Sequence, residues 1–85
     1  MSMSNTIKFS KEKNDEYQIR ESLSKVHEAL KAKGYDPINQ MVGYLISGDP
    51  TYITSKDNAR QIITQIDRDE ILEVLLKYFL YDDAK

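Results

Sequence analysis

Gly34 to Ile53 reads GYDPINQMVGYLISGDPTYI, and its punctuation decides the fold. Gly34 suits the left-handed conformation that stops a helix, and Tyr35 falls where a Schellman stop places an apolar contact, here with Leu30. Asp36 then offers an N-cap, and Pro37 takes the first helical position, where its missing N–H costs nothing. Ile38, Met41, Val42, Leu45 and Ile46 follow at helical spacing and predict the inward face of a second helix. Gly48 ends it, and Asp49 before Pro50 is pushed toward extended geometry. Residues 48–55 are therefore expected to form a loop, in which Tyr52 and Ile53 are either anchors tucked onto the core, the favoured reading, or exposed partner contacts.

On the N-terminal side, Ile19, Leu23, Val26 and Leu30 make one narrow stripe, which predicts a first helix from Glu16 to Lys33 with Asp15 as its N-cap. On the C-terminal side a third helix is expected over Lys56 to Ile66, capped by Thr54 or Ser55, with Ala59, Ile62, Ile63 and Ile66 facing inward. Continued further, it would place Glu70 in that apolar stripe. Asp67-Arg68-Asp69-Glu70 reads instead as an N-cap followed three residues later by Glu, close to a capping box, and opens a fourth helix from Arg68 to Tyr81. That helix is apolar nearly all round, with a thin polar strip at Glu70, Glu73 and Lys77. Such a helix has to be covered on most sides. A second copy of the chain is the economical cover, with Leu72, Leu75, Leu76, Phe79 and Leu80 at the dimer interface. On this reading Leu76→Asp dissociates the dimer and also unfolds the chain.

The fold class expected is thus all-α: a compact bundle of about four short helices, residues 15–85, forming a helical homodimer. Residues 1–14 lack a sustained apolar period and are expected to be a flexible N-terminal arm.

Composition narrows the function classes. The chain has 85 residues, 40% hydrophobic and 31% charged, with net charge −2 and no cysteine. A domain this size holds a limited core. The acids and bases are scattered, without the basic excess that marks nucleic-acid binders. Lack of cysteine removes disulfides, thiolate catalysis and Cys-based zinc sites, and favours a cytoplasmic location. No signal-like apolar run opens the chain and no stretch is long enough for membrane insertion.

No catalytic constellation emerges either, so the chain is expected not to be an enzyme and to need no cofactor or metal. His27 is the only imidazole and lies beside the first helix's apolar stripe, where a structural role is the simpler reading. Gly34, Gly43 and Gly48 match no phosphate-loop spacing. Asp67, Asp69, Glu70 and Glu73 are explained by capping and the helix dipole. Asn39, Gly43 and Ser47, spaced four apart, lie opposite the Ile38/Leu45 stripe. They form either a face where another backbone approaches closely, or a solvated face on which Gly43 costs about 1 kcal/mol against Ala. With Asp49, Tyr52 and Arg60 they make up the candidate partner surface.

The run from Gly34 to Ile53, with both PINQ and SGDP, resembles the signature of the IreB family of bacterial regulatory phosphoproteins. Ala59-Arg60, Arg68-Asp69 with the apolar helix after them, and Thr6-Ile7-Lys8-Phe9 are similar as well, so the likeness covers nearly the whole chain. The resemblance implies a small dimeric helical protein of Gram-positive-type bacteria. It implies an arm phosphorylated on threonine by a transmembrane serine/threonine kinase of the cell-envelope stress system, and negative control of intrinsic cephalosporin resistance. Thr6 takes the phosphoacceptor position. A second acceptor used by some members falls on Met3, with only Ser2 and Ser4 nearby. Thr54-Ser55 replaces a usual Pro-Arg pair, and His27 a usual Tyr.

Two functional readings follow. The first is a regulatory phosphoprotein that binds its kinase, a second copy of itself and a downstream protein. The alternative is a small helix-turn-helix-like nucleic-acid-binding protein using the second and third helices, with Lys56 and Arg60 set against Asp57.

Overall fold

The computed structural model describes residues 15–82. The expected arm, with Thr6, and residues 83–85 lie outside the described residues. The described chain is all-helical: α1 (Glu16–Ala32), α2 (Pro37–Ser47), α3 (Ala59–Thr64) and α4 (Arg68–Lys77), with short 3-10 turns at Pro50–Tyr52 and Lys56–Asn58. α1 is the central rod, and α2, α3 and α4 all pack against it.

The local signals around α1 and α2 act as read. Asp15 accepts the Gln18 backbone N–H at 2.8 Å, and the Gln18 side chain returns to the Asp15 N–H, closing a capping box. At the other end the Gly34 N–H donates to the Lys31 carbonyl and the Tyr35 N–H to the Leu30 carbonyl, both at 3.0 Å. These are the two bonds of a Schellman stop. Asp36 caps α2 by accepting the Asn39 N–H at 3.2 Å, with Pro37 in the first turn. Gly34 and Gly48 both take positive φ, +87° and +76°, a region closed to most side chains.

The core gathers Ile19, Val26, Ala29 and Leu30 of α1, Tyr44 of α2, Ile53 of the loop, Ala59 and Ile63 of α3, Ile66 after it, and Ile71 and Val74 of α4. Ile53 is completely buried, so it anchors the loop as expected. Tyr52 is 39% exposed, its ring lying instead against Gly43.

Four expectations are corrected. First, α2 buries only part of its expected face: Met41 and Leu45 pack partly buried against the core, but Ile38 is 64% and Ile46 79% exposed, and Tyr44 is the residue turned furthest inward, at 5%. A buried tyrosine ring removes more apolar area than a branched aliphatic side chain. The helix is rotated to seat it, leaving Ile38, Val42 and Ile46 outside. Second, α3 begins at Ala59 and not Lys56, because Asp57 (φ +54°) and Asn58 (φ +64°) are left-handed and break the helical path. Asp and Asn are the non-glycine residues that tolerate this conformation best. Third, the Asp67 side chain makes no capping bond; its backbone carbonyl accepts the Glu70 and Ile71 N–H groups instead. Fourth, α4 stops at Lys77 and continues as one π-helical turn, Tyr78–Asp82.

α4 buries only Ile71 and Val74 within the chain, leaving Leu72, Leu75, Leu76, Phe79 and Leu80 exposed. Leu76 is 58% exposed, so an aspartate there would meet surface and not core. The expected unfolding by Leu76→Asp loses its basis. No helix among the described residues is long and apolar enough to cross a membrane.

Candidate functional site

The candidate partner surface is built where α2 ends. Ser47 in the last turn of α2 donates its hydroxyl to the Gly43 carbonyl at 2.8 Å and accepts the Asp49 N–H at 3.0 Å. Asp49 in turn accepts both the Thr51 N–H at 3.0 Å and the Thr51 hydroxyl at 2.7 Å. The Thr51 hydroxyl and N–H hold the Asp49 carboxyl below its ordinary pKa, and the Arg60 charge adds to this. The next two carbonyls are also taken: Gln40 Nε2 donates to Tyr52 O and Arg60 Nε to Ile53 O, each at 2.9 Å. From α4, Arg68 Nη1 donates to Leu45 O at 3.0 Å, and its guanidinium covers Gly48.

Five of the six predicted residues therefore meet: Gly43, Ser47, Asp49, Tyr52 and Arg60 lie on one continuous hydrogen-bonded or packed path. Asn39 sits apart, exposed in the first turn of α2, where its backbone N–H is capped by Asp36. The open question about Gly43 is answered within the chain. A Cβ there would lie 2.5 Å from Tyr52 Cε1 and 2.6 Å from Cδ1, so the close approach that requires glycine is made by the chain's own tyrosine ring.

Gln40, Thr51 and Arg68 were not singled out for this loop by sequence. Thr51, two residues after Asp49, carried a usable signal, since Asx turns close at that offset. Gln40 and Arg68 reach carbonyls 12 and 23 residues away in sequence, which no local pattern announces. What the arrangement does chemically is hold backbone. Its polar groups stitch the α2–α3 connection to α2 and α3, and Arg68 ties α4 to the end of α2.

His27 is partly exposed, with Nδ1 at 3.4 Å from Glu28 Oε2. Glu73 pairs with Lys77 at 3.3 Å. Among the described residues no three His, Asp or Glu side chains come close enough to share a metal ion. The helix-turn-helix reading is not favoured. α3 has six residues, with Arg60 as its one base, and Lys56 lies outside it, paired with Asp57 at 3.6 Å.

A second surface lies between α1, α2 and α4. Ile38 and Met41 of α2 face Val74 and Leu75 of α4 and Tyr78 of the turn after it across a groove of about 520 Å³, with Leu23 of α1 also lining it. Since Leu45 at the other end of α2 meets Arg68 at the start of α4, these two helices run antiparallel. Arg20 lies over the Tyr78 ring, 4.9 Å from its centroid.

Fold and surfaces together define a small all-α protein with a stitched polar loop and broad exposed apolar helix faces. The model of a family described as IreB regulatory phosphoprotein matches residues 4–81. A UPF0297 protein of Ruminiclostridium cellulolyticum is 52% identical over 80 residues, which cover 94% of this chain and 91% of that one. The chain belongs to the IreB family of regulatory phosphoproteins.

Proposed function

We propose that the chain is a non-catalytic cytoplasmic regulator, phosphorylated on Thr6 by a transmembrane serine/threonine kinase and acting in negative control of intrinsic cephalosporin resistance. The observation that carries this reading is the family match over residues 4–81, which takes in Thr6 together with the helical core. A phosphate brings about −1.5 to −2 charge and three acceptor oxygens, comparable to the net −2 of the whole chain. One modification therefore roughly doubles the chain's charge.

The working unit is a homodimer. Its support is the uncovered side of α4 and the turn after it, where Leu72, Leu76, Phe79 and Leu80 are each 45% exposed or more. Monomeric proteins rarely leave that much contiguous apolar surface open. Ile38, Val42 and Ile46 of the antiparallel α2 extend the apolar area available to a second copy. The stitched loop of Ser47, Asp49, Thr51 and Arg60 then presents a preorganised polar surface to a downstream protein.

The test is genetic. The parent strain is compared with a deletion and with chromosomal Thr6→Ala and Thr6→Glu substitutions for growth under a cephalosporin. Negative control predicts higher resistance in the deletion strain and opposite shifts from the two substitutions. Unchanged resistance in the deletion strain contradicts the reading.

A further inference from the structure

Beside the stitched loop, Pro50, Ser55, Asn58, Arg60, Gln61 and Thr64 line an open hollow of about 440 Å³. All of these residues are exposed, so a small free anion would stay largely in water there. Arg60 Nε is committed to the Ile53 carbonyl at 2.9 Å, and among the described residues nothing accepts a hydrogen bond from its Nη1 or Nη2. We infer that Arg60 is the anchor for a carboxylate on an acidic segment of a partner protein, with the Asn58 and Gln61 amides as further donors. The inference rests on the reading of this loop as a partner surface.

The position of Arg60 is set by the core. It follows the buried Ala59, and its own N–H donates to the Thr54 carbonyl at 3.0 Å. Its Nε bond ends on Ile53, which is completely buried, so the guanidinium is held against fixed backbone. A guanidinium held through Nε keeps its Nη edge free, and that edge matches the two oxygens of a carboxylate. Carboxylates already present nearby are engaged elsewhere. Asp49 accepts the Thr51 N–H and hydroxyl, and Asp57 pairs with Lys56 at 3.6 Å. The Thr64 hydroxyl donates to the Arg60 carbonyl at 2.9 Å, which leaves Ser55, Asn58 and Gln61 to supply the polar rim.

Charge selects the occupant. Among the residues lining the hollow, Arg60 alone is charged, and one cation with neutral donors complements a single carboxylate. Recognition of a phosphate dianion calls for a cluster of arginines, and a nucleic-acid backbone for several cations. Asp49, whose carboxyl feels the Arg60 charge, adds a negative charge nearby and disfavours a dianion further. A second copy does not compete for these residues, since neither the Leu72, Leu76 and Leu80 face nor Ile38 lines the hollow.

The test titrates nitrogen-15-labelled full-length protein with a blocked Ala-Glu-Ala-Glu-Ala peptide, its glutamine counterpart and inorganic phosphate, all at one ionic strength. The inference predicts saturable shifts of the Arg60 Nε–H and of the Asn58 and Gln61 side-chain amides with the glutamate peptide. These should be smaller with phosphate and absent with the glutamine peptide. Arg60→Lys keeps the charge but loses the fork, and should weaken binding several-fold. Gln61→Glu leaves Arg60 and its bond to Ile53 in place while setting a competing carboxylate at the hollow. It too should weaken binding several-fold, with core resonances unmoved. The inference is overturned if the glutamine peptide gives the same shifts, if phosphate gives the larger ones, or if the shifts centre outside residues 50–64. Undiminished binding of the glutamate peptide by Gln61→Glu would overturn it as well. The titration uses purified unphosphorylated protein, so its failure is separate from the genetic test of Thr6 and of the deletion strain.

Discussion

Gly43→Ala sets two effects of similar size against each other. Inside a helix alanine is favoured over glycine by about 1 kcal/mol, so on propensity alone the substitution stabilises. The new methyl, however, would lie 2.5 Å from Tyr52 Cε1 and 2.6 Å from Cδ1, and overpacking of this kind costs about 1–3 kcal/mol. The Tyr52 backbone is poorly placed to yield, because Gln40 holds its carbonyl at 2.9 Å and the next residue, Ile53, is completely buried. The ring must swing off α2 instead. The two effects sum to between no change and about 2 kcal/mol of destabilisation. In a Tyr52→Ala background the ring is gone, and the same Gly43→Ala change should stabilise by the full ~1 kcal/mol. A double-mutant cycle therefore predicts a coupling of about 1–3 kcal/mol between positions 43 and 52. Urea unfolding followed by far-UV circular dichroism measures it, at one fixed protein concentration because association shifts apparent stability. Equal stabilisation by Gly43→Ala in both backgrounds would refute the argument that Tyr52 is why position 43 is glycine.

Two further outcomes are expected. Leu76→Asp should leave the helical signal of the single chain largely intact while sedimentation mass falls from twice 9.9 kDa to 9.9 kDa, since Leu76 is exposed within one chain; loss of helix together with mass would show Leu76 to be core after all. Asp49 has its carboxyl pKa lowered from 3.8, first by the Thr51 hydroxyl and then by the Thr51 N–H. A carboxyl depressed in the folded state adds stability above its unfolded pKa and loses it as pH falls through the lower folded value. Asp49→Asn should accordingly cost stability above pH 3.8 and progressively less below it, and Thr51→Val should move the Asp49 titration upward in a carbon-13 carboxyl titration. An unmoved titration would discard the Thr51 hydroxyl as the cause.

What could be read from sequence was whatever short-range chemistry decides. Asp15, Gly34, Asp36-Pro37 and Gly48 act within one helical turn, and their caps and stops lie where the residue types require. The inward residues of α1 and α3 follow from periodicity because each helix meets the core on one side. α2 offered two apolar faces, and period alone could not show that Tyr44 would win over Ile38, Val42 and Ile46; that choice depends on the space α1 and the loop leave for a ring. The left-handed pair Asp57-Asn58 carries no glycine to announce it. The stitched loop was legible as a group of residues but not as a mechanism, because Gln40 and Arg68 act across long sequence separations. Gly43 shows the same limit: its spacing left a close approach and a solvated face equally open, and only the fold shows that a group does approach and that it is the Tyr52 ring.

The most direct test of the central claim is phosphopeptide mapping of the full-length protein after incubation with the envelope-stress kinase of its own organism, paired with amide spectra of both forms. The account predicts phosphate on Thr6, in the stretch shared with the regulatory phosphoprotein family, and resonances of α1 to α4 that keep their native dispersion. Phosphate found chiefly on Thr51, Thr54 or Thr64, or core resonances displaced throughout the four helices, would contradict it.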